Sequence, residues 1–84
     1  MNTLADMPNI GPVLAEKLCQ AGISTTAALL ETGAEEAFLR IKAGVDQGAC
    51  LHMLEALAGA VAGVRKSQLP PERKAELKRF YKAL

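Results

Sequence analysis

Glycine and proline cut this chain into pieces too short for anything but a set of small helices. Gly11-Pro12, Gly22, Gly33, Gly44 and Pro70-Pro71 fall between stretches whose apolar residues recur at three- and four-residue steps. Proline tolerates only the first turn of a helix, and glycine after the last turn ends one in the left-handed conformation. Nowhere do β-branched residues alternate with polar ones over a strand's length, so the periodicity predicts an all-α chain. With 84 residues, it is expected to form one domain over 1–84.

Residues 4–7 are at most one short turn. "PVLAEKLCQA" sets Leu14, Leu18 and Ala21 on one face and stops at Gly22. "ISTTAALLET" follows, with Ser24 as the expected N-cap and Gly33 as the stop. "AEEAFLRIKA" turns Ala37, Phe38 and Ile41 inward and ends at Gly44. The longest helix is predicted near 46–62, with Cys50, Leu54, Leu57 and Val61 along its apolar stripe. Finally "LPPERKAELKRFYKAL" carries Leu77, Phe80, Tyr81 and Leu84 on one side. The expected architecture is a compact bundle of about five short helices, SAM-like or helix-hairpin-helix-like. Hydrophobic residues supply 50% of the chain but aromatics only 4%, so the core must be built from Leu, Ile, Val, Met and Ala. A domain this small buries roughly 60–65% of its unfolded surface and gains from association.

Cys19 and Cys50 lie far apart inside helical apolar patterns, which favours two buried free thiols over a disulfide. No run approaches the length of a membrane span, and no basic segment followed by an apolar one opens the chain. The expected location is therefore cytoplasmic. His52 has no companion at metal-ligand spacing, so no metal site is expected. Cys50 and His52, two apart on a helix, diverge and form no nucleophile–base pair. Glu35-Glu36 reads as charge at a helix start and not as acid/base machinery. No glycine-rich nucleotide loop is present. The expectation is a non-enzymatic protein without a cofactor.

Segments "LADMPNIGPVLAEKLCQAGI", "TGAEEAFLRIK", "ACLHMLEALAGAVAGV" and "LPPERKAELKRF" occur here in this order. Together they resemble the C-terminal domain of the TfoX/Sxy regulators of bacterial DNA-transformation competence, over nearly the whole chain. The resemblance implies a helical fold and a link to transcription of DNA-uptake genes, alongside the cyclic-AMP receptor protein. Those regulators also carry an N-terminal domain without counterpart in this sequence, so a complete activator of that form is not expected. After "AGV" the family tends to place an aromatic, whereas this chain has Arg65-Lys66-Ser67.

Two surfaces stand out as candidates for function. The opening hairpin offers the turn Asn9, Ile10 and Gly11 at a helix start, with Lys17 one turn further, as helix-hairpin-helix modules do toward phosphate. Pro12 removes a donor, Asn9 stands where DNA-binding hairpins favour Gly, and Asp6 and Glu16 oppose Lys17, so a structural hairpin is the favoured reading. Net charge is +1, but residues 1–42 hold three cations against five acids and residues 43–84 seven against four. Lys74, Lys78 and Lys82 form a stripe, preceded by Arg65 and Lys66, which is either a solvated face or a contact for nucleic acid or an acidic protein. The second surface is the pale face of the long helix, His52, Glu55, Gly59 and Gly63. Its small residues fit either a partner or second-copy helix, or the domain's own short helices. The expected function is an interaction module acting in transcriptional regulation through a protein partner, such as the transcription machinery. Weak non-specific DNA binding through the hairpin amides and basic C-terminal surface, and a structural homo-oligomer such as a homodimer, are the alternatives.

Overall fold

In the computed structural model, which describes residues 3–84, five α-helices and two 3-10 turns follow one another. A 3-10 turn at Leu4–Asp6 leads to α1 (Pro12–Gln20), α2 (Thr26–Thr32), α3 (Ala34–Gly44) and α4 (Leu51–Ala62). A second 3-10 turn, Lys66–Gln68, then precedes α5 (Pro71–Lys82). The described residues contain no strand, and the fold is all-α as the periodicity predicts.

α4 is the centre. Leu54, Ala56, Leu57, Ala58, Gly59 and Ala60 are all buried, so the helix is enclosed along most of its circumference. A helix apolar all round belongs in the interior, and its small residues let neighbours approach closely. α3, α5 and the second 3-10 turn pack against it. Leu18, Ile23, Leu29, Phe38, Ile41 and Leu77 complete the core, each at most 1% exposed. Phe38 meets Tyr81 with ring centroids 6.0 Å apart and planes tilted by 60°, a favourable aromatic arrangement that joins α3 to α5.

Two helix ends are closed in the same way. After α1, the Ile23 N–H donates to the Leu18 carbonyl at 2.8 Å while Gly22 donates to Cys19 at 3.0 Å. After α4, Val64 donates to Gly59 at 2.9 Å and Gly63 to Ala60 at 3.1 Å. Both are Schellman closures, with Gly22 and Gly63 in the left-handed region at φ 88° and 76°. In the first, Ile23 is driven into the core.

Several boundaries differ from the sequence-based expectation. α4 begins at Leu51, not near Asp46, because Asp46 makes a turn of its own. Its Oδ1 accepts from the Gly48 N–H at 2.9 Å, and its own N–H donates to Ile41 at 2.8 Å. Short acidic side chains compete for backbone donors in this way and favour turns over helix interiors. The N-cap of α2 is Thr25, whose hydroxyl accepts from Ala28 at 3.0 Å, and not Ser24. Gly63 lies beyond α4, so only Gly59 is interior to it. Leu84, past the end of α5, is 52% exposed and does not join that helix's apolar stripe. Cys19 and Cys50 are free but exposed, not buried. Cys50 caps α4 from outside the helix, and Cys19 sits beside Leu18 but on the outward side of α1.

Ion pairs clamp the helices at two points. Lys17 Nζ of α1 reaches Asp46 Oδ2 at 2.6 Å. Arg73 of α5 binds both oxygens of Glu35 on α3, at 2.7 and 2.8 Å, in a bidentate pair. The Arg73 hydrogen bonds hold the Glu35 carboxyl below its ordinary range, against the opposing effect of burial. Asp46 is lowered as well, first by the Lys17 hydrogen bond and then by the Gly48 amide.

Replacing Arg73 with Ala is expected to cost about 1 kcal/mol, the upper end for a partly exposed pair, from lost ion pairing and lost stem packing. Because the folded Glu35 titrates below its unfolded counterpart, its contribution is complete above the ordinary Glu value of about 4.3 and disappears as pH falls through the lower folded value. Denaturant titrations between neutral and acidic pH check this: the wild-type and R73A stabilities should converge in acid.

Candidate functional site

The hairpin turn is held by a side chain pointing inward. Asn9 has φ 69°, and no other non-glycine among the described residues has a positive φ. Asparagine tolerates this left-handed geometry better than most residues, so the backbone takes the path a glycine would allow. The amide then crosses to α4 and the segment after it. Asn9 Nδ2 donates to the Val64 carbonyl at 2.9 Å and to the Ala56 carbonyl at 3.4 Å, while Oδ1 accepts from the Lys66 N–H at 2.9 Å. A side chain that satisfies its donors and its acceptor in this way works as a structural crosslink.

Gly59 makes room for that crosslink. A Cβ at this position would collide with Asn9 Nδ2, and would sit 2.8 Å from the Val64 carbonyl oxygen and 3.2 Å from the Lys66 nitrogen. The small-residue surface on α4 is therefore filled at its middle by the chain's own hairpin. His52, Glu55, Gly59 and Gly63 do not form one open face. His52 stands exposed with Nδ1 3.8 Å from Glu55 Oε1, Gly59 is sealed, and Gly63 is exposed at the helix end.

Of the hairpin residues considered for phosphate, each is committed elsewhere in some measure. Lys17 is paired with Asp46, and the Ile10 N–H donates to the Met7 carbonyl at 3.3 Å. Ile10 itself is 4% exposed, and Gly11 serves as the N-cap of α1. What the turn does create is a pair of adjoining clefts. One, of about 430 Å3, has Met7, Leu30, Val61 and Ala62 in its wall, with Leu30 of α2 53% exposed. The other, of about 570 Å3, is bounded by Asn9, Val64, Arg65 and Gln68. They meet at Asp6, Pro8 and Gly63. The result is a groove, apolar at the α2 end and cationic at Arg65. Asp6 between them is kept ionised by hydrogen bonds from the Thr3 N–H and hydroxyl, which lower its pKa.

Lys74, Lys78 and Lys82 do lie along one side of α5, with Lys78 and Lys82 exposed and Lys74 half-buried. Arg65 and Lys66 are exposed ahead of the helix. Lys66 is brought to Asn9 through its backbone, while its ammonium remains outside that bond. Lys17 lies apart from this group, at the α1–Asp46 clamp.

Three features escaped sequence reasoning. The inward Asn9 amide was signalled only by asparagine in a Pro-Asn-Ile-Gly turn. Nothing in the pattern paired Arg73 with Glu35, which are 38 residues apart. The exposure of Leu30 depends on how α2 is turned, and α2 has only seven residues.

The family model for the TfoX C-terminal domain matches residues 1–81. Among solved structures, an uncharacterized protein from Listeria monocytogenes in a triclinic crystal form is 44% identical. That match covers 96% of this chain and 91% of the other, with a TM-score of 0.94. A protein of unknown function from the same organism, in a tetragonal form, is 45% identical, with 95% and 98% covered and a TM-score of 0.92. By the family match over nearly its whole length, this chain belongs to the TfoX C-terminal domain family.

Proposed function

We propose that the domain is a non-enzymatic interaction module acting in transcriptional regulation, through a protein partner that docks in the groove beside the first turn. The observation that carries this reading is Leu30, a large apolar side chain 53% exposed at the wall of a cleft it shares with Met7 and Val61. The groove changes character along its length, from these apolar side chains to Arg65. Its occupant is a peptide segment that offers an apolar side chain to Leu30 and a carboxylate to Arg65, which has no ion pair within 4.0 Å among the described residues. Exposed apolar side chains grouped beside polar ones are a usual mark of partner surfaces.

Membership in the TfoX C-terminal domain family supports the regulatory context. The rigid frame under the groove suits docking without rearrangement, because Gly63 and Pro8 on its floor are tied together by the Asn9 crosslink. The hairpin takes no phosphate on this reading, since Lys17 is engaged by Asp46.

A photo-crosslinking residue placed at Leu30 in the native cell should give one defined adduct with a heterologous protein, whose linked peptide carries apolar and acidic residues. The same residue at Glu16 should not. Once that protein is identified, Leu30→Ala should weaken binding by about tenfold or more, from the lost burial of a leucine side chain. The stability of the domain should change by less than about 0.5 kcal/mol, because the residue is on the surface. An adduct to a second copy of this chain would replace the partner with a homodimer, and scattered adducts would refute the groove as a docking site.

A further inference from the structure

The pairing of charges leaves one face of α5 cationic. Four basic side chains are engaged: Lys17 with Asp46, Arg40 with Glu36, Arg73 with Glu35 and Glu76, and Lys42 with the Gln47 carbonyl. The remaining six, Arg65, Lys66, Lys74, Lys78, Arg79 and Lys82, have no carboxylate within 4.0 Å among the described residues. All six lie in the last twenty residues of the sequence, where the acids are Glu72 and Glu76. Glu76 is drawn 3.6 Å from Arg73, away from the lysines. The overall charge of +1 thus conceals a segregation produced by the fold.

On α5 this segregation has a direction. At 100° per residue, Lys74, Lys78, Lys82 and Arg79 span an arc of roughly 140°. Leu77 and the half-buried Phe80 and Tyr81 take the opposite side, which faces the core. Lysine stems lie along apolar surface while their ammonium groups extend outward, so the arc presents a row of point charges. Arg65 and Lys66 extend it before the helix begins. The row holds no Asn or Gln that could read a base edge, and it contains no aromatic residue on which a base could stack.

We propose that this face of α5, with Arg65 and Lys66, binds the phosphate backbone of nucleic acid without reading its sequence. It shares Arg65 with the Leu30 groove, but it rests on the lysines of α5 and does not depend on the groove being occupied. A regular array of cations, four of them lysines that act as point charges, matches the repeated charge of a duplex and supplies position more than specificity. Interaction through the opening hairpin is not part of it, because Lys17 is held at Asp46.

Fluorescence anisotropy with a short mixed-sequence DNA duplex, measured over a range of salt, tests the surface. The wild-type chain should bind at low salt, with log K falling linearly against log salt. The Lys74/Lys78/Lys82→Ala variant should show a slope shallower by about 2.7, close to 0.9 for each phosphate no longer neutralised. A Lys74/Lys78/Lys82→Arg variant should keep the wild-type slope, and Leu30→Ala should leave it unchanged, which separates this surface from the groove. Circular dichroism confirms that the variants are folded. Failure to bind the duplex at low salt, or an unchanged slope in the alanine variant, overturns the proposal. Binding of polyglutamate as tight as that of the duplex at equal charge also overturns it, in favour of an acidic protein.

Discussion

A single carboxamide ties the opening turn of this domain to the end of its central helix. Asn9 stands in the opening turn, yet its hydrogen bonds go to Val64 and Lys66, beyond the end of α4. The bonds require a backbone at φ 69° on one side and a residue without Cβ on the other. Each condition is unfavourable alone. A left-handed non-glycine residue is uncommon, and glycine in a helix interior costs about 1 kcal/mol against alanine. Together they place a donor–acceptor pair where the Val64 carbonyl and the Lys66 N–H, both outside the helices, would otherwise need partners. The crosslink also fixes where the connection between α4 and α5 leaves the core, and hence the direction in which α5 starts.

That arrangement gives a hairpin with the outline of a phosphate-binding module a structural role. In such a module the turn must let an anion come close to the backbone. Here the side chain of Asn9 is used inside, the nearest lysine is bound to Asp46, and Pro12 contributes no N–H. The turn instead shapes a groove on its outer surface, between Leu30 and Arg65. Asn9 and Arg65 both line that groove, and Arg65 also begins the cationic segment, so the two surfaces meet at the Asn9 crosslink.

Much of the fold was legible in the sequence, because helix ends are governed by local chemistry. Gly22, Gly33 and the Pro70-Pro71 pair stop or start helices for reasons that depend only on φ and a missing N–H, and they act here as expected. The inward set Leu54, Leu57, Phe38, Ile41 and Leu77 follows from spacing alone. What the pattern could not show was competition. Asp46 can enter a helix or fold back on Gly48, and the outcome depends on the Lys17 ammonium brought by a different helix. Gly59 was legible as a place of close approach, but the atom that approaches belongs to a residue 50 positions earlier in the sequence. For the candidate surfaces the same holds: the lysine stripe of α5 is periodic and visible, whereas the neutralisation of Arg73 and Lys17 needs tertiary contacts.

The distance along the chain that the Asn9 bridge spans bears on how the molecule assembles. The bond from Lys66 joins residues 57 positions apart, so the bridge closes only after most of the polypeptide has been gathered in. Helix caps and the Schellman turns need just a few neighbouring residues. The bridge has a long loop to close, and closing it carries an entropic cost that the caps escape. Whatever part of its stabilisation is gained after the transition state slows opening of the native domain and does not speed its formation.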